Sequence, residues 1–187
     1  MSKEHLKIAA MNLFATHGYE AASMQLVAEA VGIKKQSIYT HFRNKDELFL
    51  AACEQAMNEE LAYTLAQVEK METIDALYAY LHHTAERYEA RIETRFWLRM
   101  SIYPPQHLEK RVMVYVYYYL DSIEQAVKEL LIRQRETLTT DISSTHIAQA
   151  YLSIMDACHI EMLYGGPVRV KQRIEASWQI FKRGVAR

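Results

Sequence analysis

Between Lys34 and Lys45 the chain places Lys34, Lys35, Arg43 and Lys45 with no acid among them, and sets Gln36, Ser37, Tyr39 and His41 in the gaps. These are residue types that read and hold duplex DNA. Lysine bonds guanine O6 or N7, glutamine takes adenine through two hydrogen bonds, and serine serves either base. Tyr39 and His41 offer polar tips for the wall of a groove. Lys45 stands where the free N–H groups of a following helix would form a phosphate site. A base-reading role requires Lys35, Gln36 and Ser37 to lie in the first exposed turn of a short helix.

The preceding residues supply a frame for that helix. Ala28, Gly32 and Ile38 fall at four- and six-residue steps. Where two short helices cross, a small residue allows close approach, a glycine takes positive φ without a Cβ penalty, and an apolar residue fills the angle. Val27, Val31 and Ile33 add core contacts. Upstream, Leu6, Ala10, Leu13, Phe14 and His17 form one helical stripe that Gly18-Tyr19 ends. Ser23 stands as the N-cap of the second helix, and the third is expected from Lys35 to about Phe42. Asn44 and Glu47 have the spacing of a capping box for a long fourth helix reaching to near Val68.

Helical periodicity continues to the end. It predicts helices over about 74–91, 94–103 (stopped by Pro104-Pro105), 108–135, 144–164 and 168–184. The expectation is an all-α chain of about nine helices, with a three-helix helix-turn-helix module over 1–47 and a larger helical domain over 48–187. The 187 residues are half apolar and a quarter charged, a globular composition with a net charge of −1. No apolar run approaches the roughly 20 residues of a membrane span, and no signal-peptide core opens the chain. Cys53 and Cys158 are too few for a disulfide framework, so a cytoplasmic protein with reduced thiols is expected.

Enzyme signatures are missing: there is no P-loop, GxGxxG or HExxH. His82 and Glu86 make at most half of a metal site, and Cys158-His159-Ile160-Glu161 lacks the P-C-x-x-C of a zinc deaminase. No enzyme activity, metal or cofactor is expected.

The segments Phe14–Ser23, Val27–Gly32, Ile38–Phe42 and Lys45–Leu48 closely resemble the N-terminal signature of the tetracycline-repressor (TetR) family. Glycine-aromatic, capping hydroxyl, glycine, tyrosine, phenylalanine and lysine-acid-leucine all fall in register. The resemblance covers about the first fifty residues and implies a homodimeric repressor that binds a pseudo-palindromic double-stranded operator until a small-molecule effector releases it. Carried over by position, Ser23 resembles a phosphate-holding hydroxyl, Lys35, Gln36 and Ser37 occupy base-reading positions, and Tyr39, His41 and Lys45 look like phosphate clamps. Lys34 stands where the family often has a capping serine or threonine, and Gln36 where it often has glycine.

In the C-terminal domain, aromatic walls and adaptable methionines suit a pocket for an apolar or planar effector. The candidates are Tyr78, Phe96, Trp97, Met100, Tyr103, Tyr115, Tyr118, Tyr119, Met155 and His159. The eighth and ninth helices, which the resemblance pairs with their mates as a four-helix interface, offer Ile147, Tyr151, Ile154, Cys158, Met162, Ile174, Trp178 and Phe181. The alternative is a helical dimeric scaffold or small-molecule-binding protein without specific DNA binding.

Overall fold

The computed structural model describes residues 2–138 and 141–186. Among them are nine α-helices: α1 Lys3–Ala21, α2 Met24–Ala30, α3 Lys35–Ile38, α4 Lys45–Glu69, α5 Asp75–Ala90, α6 Ile92–Ile102, α7 Glu109–Arg133, α8 Ser144–Tyr164 and α9 Gly166–Val185. Short 3-10 turns at Gln106–Leu108 and Arg135–Thr137 flank α7. The described residues contain no strand, only one isolated antiparallel bridge between Leu138 and Ala186. No helix is long and apolar enough to cross a membrane, and no group of three or more His, Cys, Asp or Glu is placed to hold a metal among those residues.

The chain divides into two compact units, residues 1–60 with 91–117 and residues 61–90 with 118–187. This division differs from the expected boundary after residue 47, because α6 packs on α1. Phe14 of α1 and Phe49 of α4 meet edge to face at 5.1 Å, and Phe96 of α6 approaches both rings at 6.1 and 5.9 Å. All three side chains are fully buried, and aromatic pairs in these orientations add to the apolar burial. Thr94 of α6 donates to the buried Glu60 carboxylate at 2.7 Å. Side chains more than thirty residues apart thus bind the first unit together, which local periodicity does not reveal.

The second unit is built on α5, α8 and α9. Tyr151 of α8 is buried and donates its hydroxyl to the Leu77 carbonyl of α5 at 2.9 Å. Trp178 of α9 packs between Tyr78 and Phe181, with ring centroids 5.6 and 5.4 Å away.

Two glycines shape the first unit. Gly32 has φ 72° and closes α2: its N–H bonds the Glu29 carbonyl at 3.1 Å and the Ile33 N–H reaches back to Ala28 at 3.0 Å. This is a Schellman closure, which needs the left-handed residue. Gly18 has φ 81° and ψ 170° and kinks α1 before Tyr19. That backbone region is essentially reserved for glycine. Gly18→Ala is expected to lower unfolding stability by about 1–3 kcal/mol, read as a reduced urea midpoint at unchanged slope.

Candidate nucleic-acid interface

The crossing of α2 and α3 has the geometry that the residue pattern predicts. Ala28 and Ile38 are fully buried and Val27 nearly so, with Gly32 turning the chain between them. Ser23 caps α2, its hydroxyl accepting the Leu26 N–H at 3.2 Å. Lys34 takes the capping position of α3 without any side-chain hydrogen bond to the helix. The third helix is shorter than expected, ending at Ile38. Beyond it the His41 and Phe42 N–H groups both bond the Ile38 carbonyl, a turn that buries Phe42.

Lys34, Lys35, Gln36 and Ser37 are all exposed, as are Ser23 and Tyr39, while His41 is half-buried. The base-reading candidates therefore project from the turn opposite the buried Ile38. Among the described residues, no side-chain partner engages any of the four from Lys34 to Ser37 so as to withdraw it. The fourth helix begins as its sequence implies: Asn44 accepts the Glu47 N–H at 2.8 Å, and the Glu47 carboxylate reaches back to the Arg43 N–H at 2.7 Å.

Lys45 departs from the expectation of a phosphate clamp. Its ammonium turns inward and donates to the Tyr19 and Ala22 carbonyls at 2.9 and 3.1 Å, lying 4.0 Å from the centroid of the Tyr19 ring. The carbonyls at the end of α1 have no helical partner, and a cation is what satisfies them. Arg99 of α6 serves the same helix at its kink, donating to the Ala15 carbonyl at 2.9 Å. The Tyr19 hydroxyl donates to Asp46, which His107 also approaches at 3.3 Å. Burial first, then the Asp46 hydrogen bond, pushes the Tyr19 phenol up. The Tyr19 hydrogen bond is the main cause holding Asp46 below the ordinary carboxylate range.

The expected effector residues are divided between the two units. In the first unit Phe96, Trp97 and Met100 are buried core, Tyr115 is half-buried, and Tyr103 is exposed. In the second, Tyr119, Met155 and His159 are buried, Tyr118 is exposed, and Tyr78 is hydrogen-bonded to Glu175. Burial lowers the His159 imidazole to about 4, so it is neutral near pH 7. A groove of about 200 Å³ between α5, α8 and α9 is lined instead by residues including His82, Glu86, Met162, Val170 and Lys171. His82 faces Glu175 at 3.8 Å rather than pairing with Glu86.

The expected interface residues on α8 and α9 require a correction. Ile147, Tyr151, Cys158, Met162, Ile174, Trp178 and Phe181 are buried within this chain, and only Ile154 keeps a partly open side chain. Ile147, Tyr151, Cys158 and Met162 of α8 thus serve the chain's own core. A shallow groove runs along Ala150 and Ile154 of α8 and Ala176, Ser177 and Ile180 of α9. With Ile180 at 72% exposure, this is the apolar face left open, and its small residues gave no signal to a search for large ones.

Replacement of Lys45 tests its inward role. Lys45→Ala is expected to cost about 1.5–3 kcal/mol of unfolding stability, the usual size for a hydrogen bond to a charged group, as measured by urea denaturation.

A model of the family described as bacterial regulatory proteins, tetR family, matches residues 8–52. The biofilm operon icaADBC negative transcriptional regulator IcaR of Staphylococcus epidermidis is 32% identical over 72 residues, 38% of this chain and 39% of that protein. The nicotine-responsive transcriptional repressor HdnoR of Paenarthrobacter nicotinovorans is 23% identical over 167 residues, 85% of this chain and 82% of that one. The chain matches less than half the length of the curated relatives that head the comparison. Reduced NemR of Escherichia coli has the same fold, with a TM-score of 0.79 at 17% identity over 98% of this chain and 97% of that one. With the helix-turn-helix formed over the matched residues, the segment 8–52 is similar to the tetR family of bacterial regulatory proteins, and the whole chain has the fold of its structural neighbours.

Proposed function

We propose that the chain is a cytoplasmic transcriptional repressor that binds a pseudo-palindromic operator as a homodimer and is released by a small apolar or aromatic effector. The observation that carries this reading is the exposed row Lys35, Gln36 and Ser37 in the first turn of α3, set on the buried Ala28–Ile38 crossing. Donors and acceptors so placed enter a major groove and discriminate base edges. Ser23, Lys34, Tyr39 and His41 would hold the flanking phosphates and fix the register. No catalytic role is assigned.

Homodimer formation is supported by the open face of α8 and α9. Ala150, Ala176 and Ser177 let two helix pairs approach closely, and Ile154 and Ile180 supply apolar area. Two copies so joined would present two copies of α3 to half-sites about 34–36 Å apart. Effector release is supported by the nicotine-responsive relative. Within the second unit, buried Met155 and the neutral His159 are the strongest of the expected effector residues, whereas exposed Tyr118 is the weakest.

Selection of bound duplexes from a random pool with the full chain tests the reading. A repressor enriches a two-fold related sequence; failure to enrich any sequence overturns it. Lys35→Ala with Gln36→Ala is expected to lower the ratio of specific to non-specific affinity by at least about thirtyfold, since each two-point base contact is worth about 1–3 kcal/mol. Far-UV circular dichroism should stay unchanged. Ile180→Glu is expected to shift the light-scattering mass from two chains to one; a dimer that survives it places the interface elsewhere.

A further inference from the structure

Lys45 is turned into the protein, so the positive charge that the sequence sets at the start of α4 is withdrawn from the surface beside α3. Two other cations occupy that flank. Lys3, the first residue of α1, lies with its ammonium 5.7 Å from the centroid of the Phe42 ring, which brings the start of the chain against the turn that follows α3. Arg43 is the next residue along that turn. Its backbone N–H is held by Glu47 at 2.7 Å, which fixes where its side chain departs, while the guanidinium itself is exposed and makes no ion pair among the described residues.

The nearby acids are largely engaged elsewhere. Glu4 pairs with Lys7 at 3.0 Å rather than with Lys3. Asp46 holds Tyr19 and His107, and one oxygen of Glu47 is taken by the Arg43 backbone. Among the described residues Lys3 is held against an aromatic face, a weak attraction at an exposed site. A ring orients the ammonium without neutralising it, so a phosphate can still be bound.

We propose that Lys3 and Arg43 together form a phosphodiester anchor for duplex DNA, at the α3–α4 end of the reading helix and separate from the residues that read bases. The proposal rests on the DNA-binding reading above and extends it by naming the backbone contacts that the sequence assigned to Lys45. The anchor carries no base specificity, so it strengthens binding to every duplex equally and releases counterions from the DNA it covers.

The test uses the full-length protein, fluorescence anisotropy, and two labelled duplexes, one selected from the random pool and one of unrelated sequence. Each phosphate contact contributes about 0.9 to the slope of log affinity against log salt. The pair Lys3→Ala and Arg43→Ala is expected to lower that slope by about 1.8 on both duplexes, leaving the ratio of the two affinities unchanged. Charge-conserving Lys3→Arg with Arg43→Lys is expected to retain the wild-type slope. An alanine pair with the wild-type slope overturns the anchor while leaving the base-reading assignment intact. An equal loss in the charge-conserving pair also overturns it, because packing rather than charge would then be responsible. Failure of the wild-type protein to distinguish the two duplexes defeats the parent reading instead.

Discussion

The first unit depends on how the end of α1 satisfies its carbonyl groups. Gly18 leaves helical geometry, and the chain must then turn at Tyr19–Ala22 to start α2. The C-terminal end of a helix leaves carbonyls without intrahelical partners and carries a partial negative charge. Two cations answer it, Arg99 at Ala15 and Lys45 at Tyr19 and Ala22. One arrives from α6 and the other from the first turn of α4. A single backbone break thereby ties α1, α4 and α6 into the unit that carries α2 and α3. The aromatic cluster of Phe14, Tyr19, Phe49 and Phe96 lies beneath the same corner, so charged contacts and apolar packing hold one geometry.

This arrangement sorts the basic residues into two classes that a count of charges merges. Lys45 and Arg99 face carbonyls and are structural, while Lys34, Lys35 and Arg43 face solvent. With a net charge of −1 over 187 residues, the chain has little overall field with which to attract a polyanion. Attraction has to come from the few outward cations near α3, over distances set by a screening length of about 8–10 Å at physiological salt. In the proposed DNA-binding role such attraction would weaken as salt rises, and the base-edge contacts proposed for Lys35, Gln36 and Ser37 would decide where the protein rests.

Features governed by the local backbone were legible in the sequence. Gly18 and Gly32 have the positive φ that their places at helix ends imply, and Asn44 and Glu47 cap α4 at the spacing that suggested it. Ile38 fills the crossing with Ala28. Features governed by contacts distant in sequence were not legible. The basic character of Lys45 is visible, but its direction depends on where the Tyr19 and Ala22 carbonyls end up. The division into units follows from α6 meeting α1, with Phe96 joining rings that stand more than forty residues earlier. On α8 the large residues Ile147 and Tyr151 look like part of a partner face. Both are buried in the chain, and the open face is carried by residues such as Ala150, whose size makes them invisible to hydrophobic pattern reading.

The hairpin of α8 and α9 solves a related problem with the opposite charge. Glu161 lies in the last turn of α8 and Arg169 and Arg173 near the start of α9, so each group alone faces an unfavourable helix end. Placed across the turn they cancel that cost: Glu161 accepts from Arg169 at 2.8 and 3.1 Å and from Arg173 at 2.8 Å. The Arg169 hydrogen bonds, followed by those of Arg173, bring the Glu161 carboxyl down to about 2. Because its folded value lies below the ordinary one, this contribution is present at neutral pH and is lost only as the pH falls toward that value. Gly165 makes room for the pairing, since a Cβ there would lie 2.0 Å from the Glu161 Oε2. The three charges hold the turn from one side, while large buried residues such as Tyr151 and Phe181 pack α8 against α9. Beyond that packing, Ala150, Ala176 and Ser177 are too small to fill the space between the helices and line an open groove with Ile154 and Ile180.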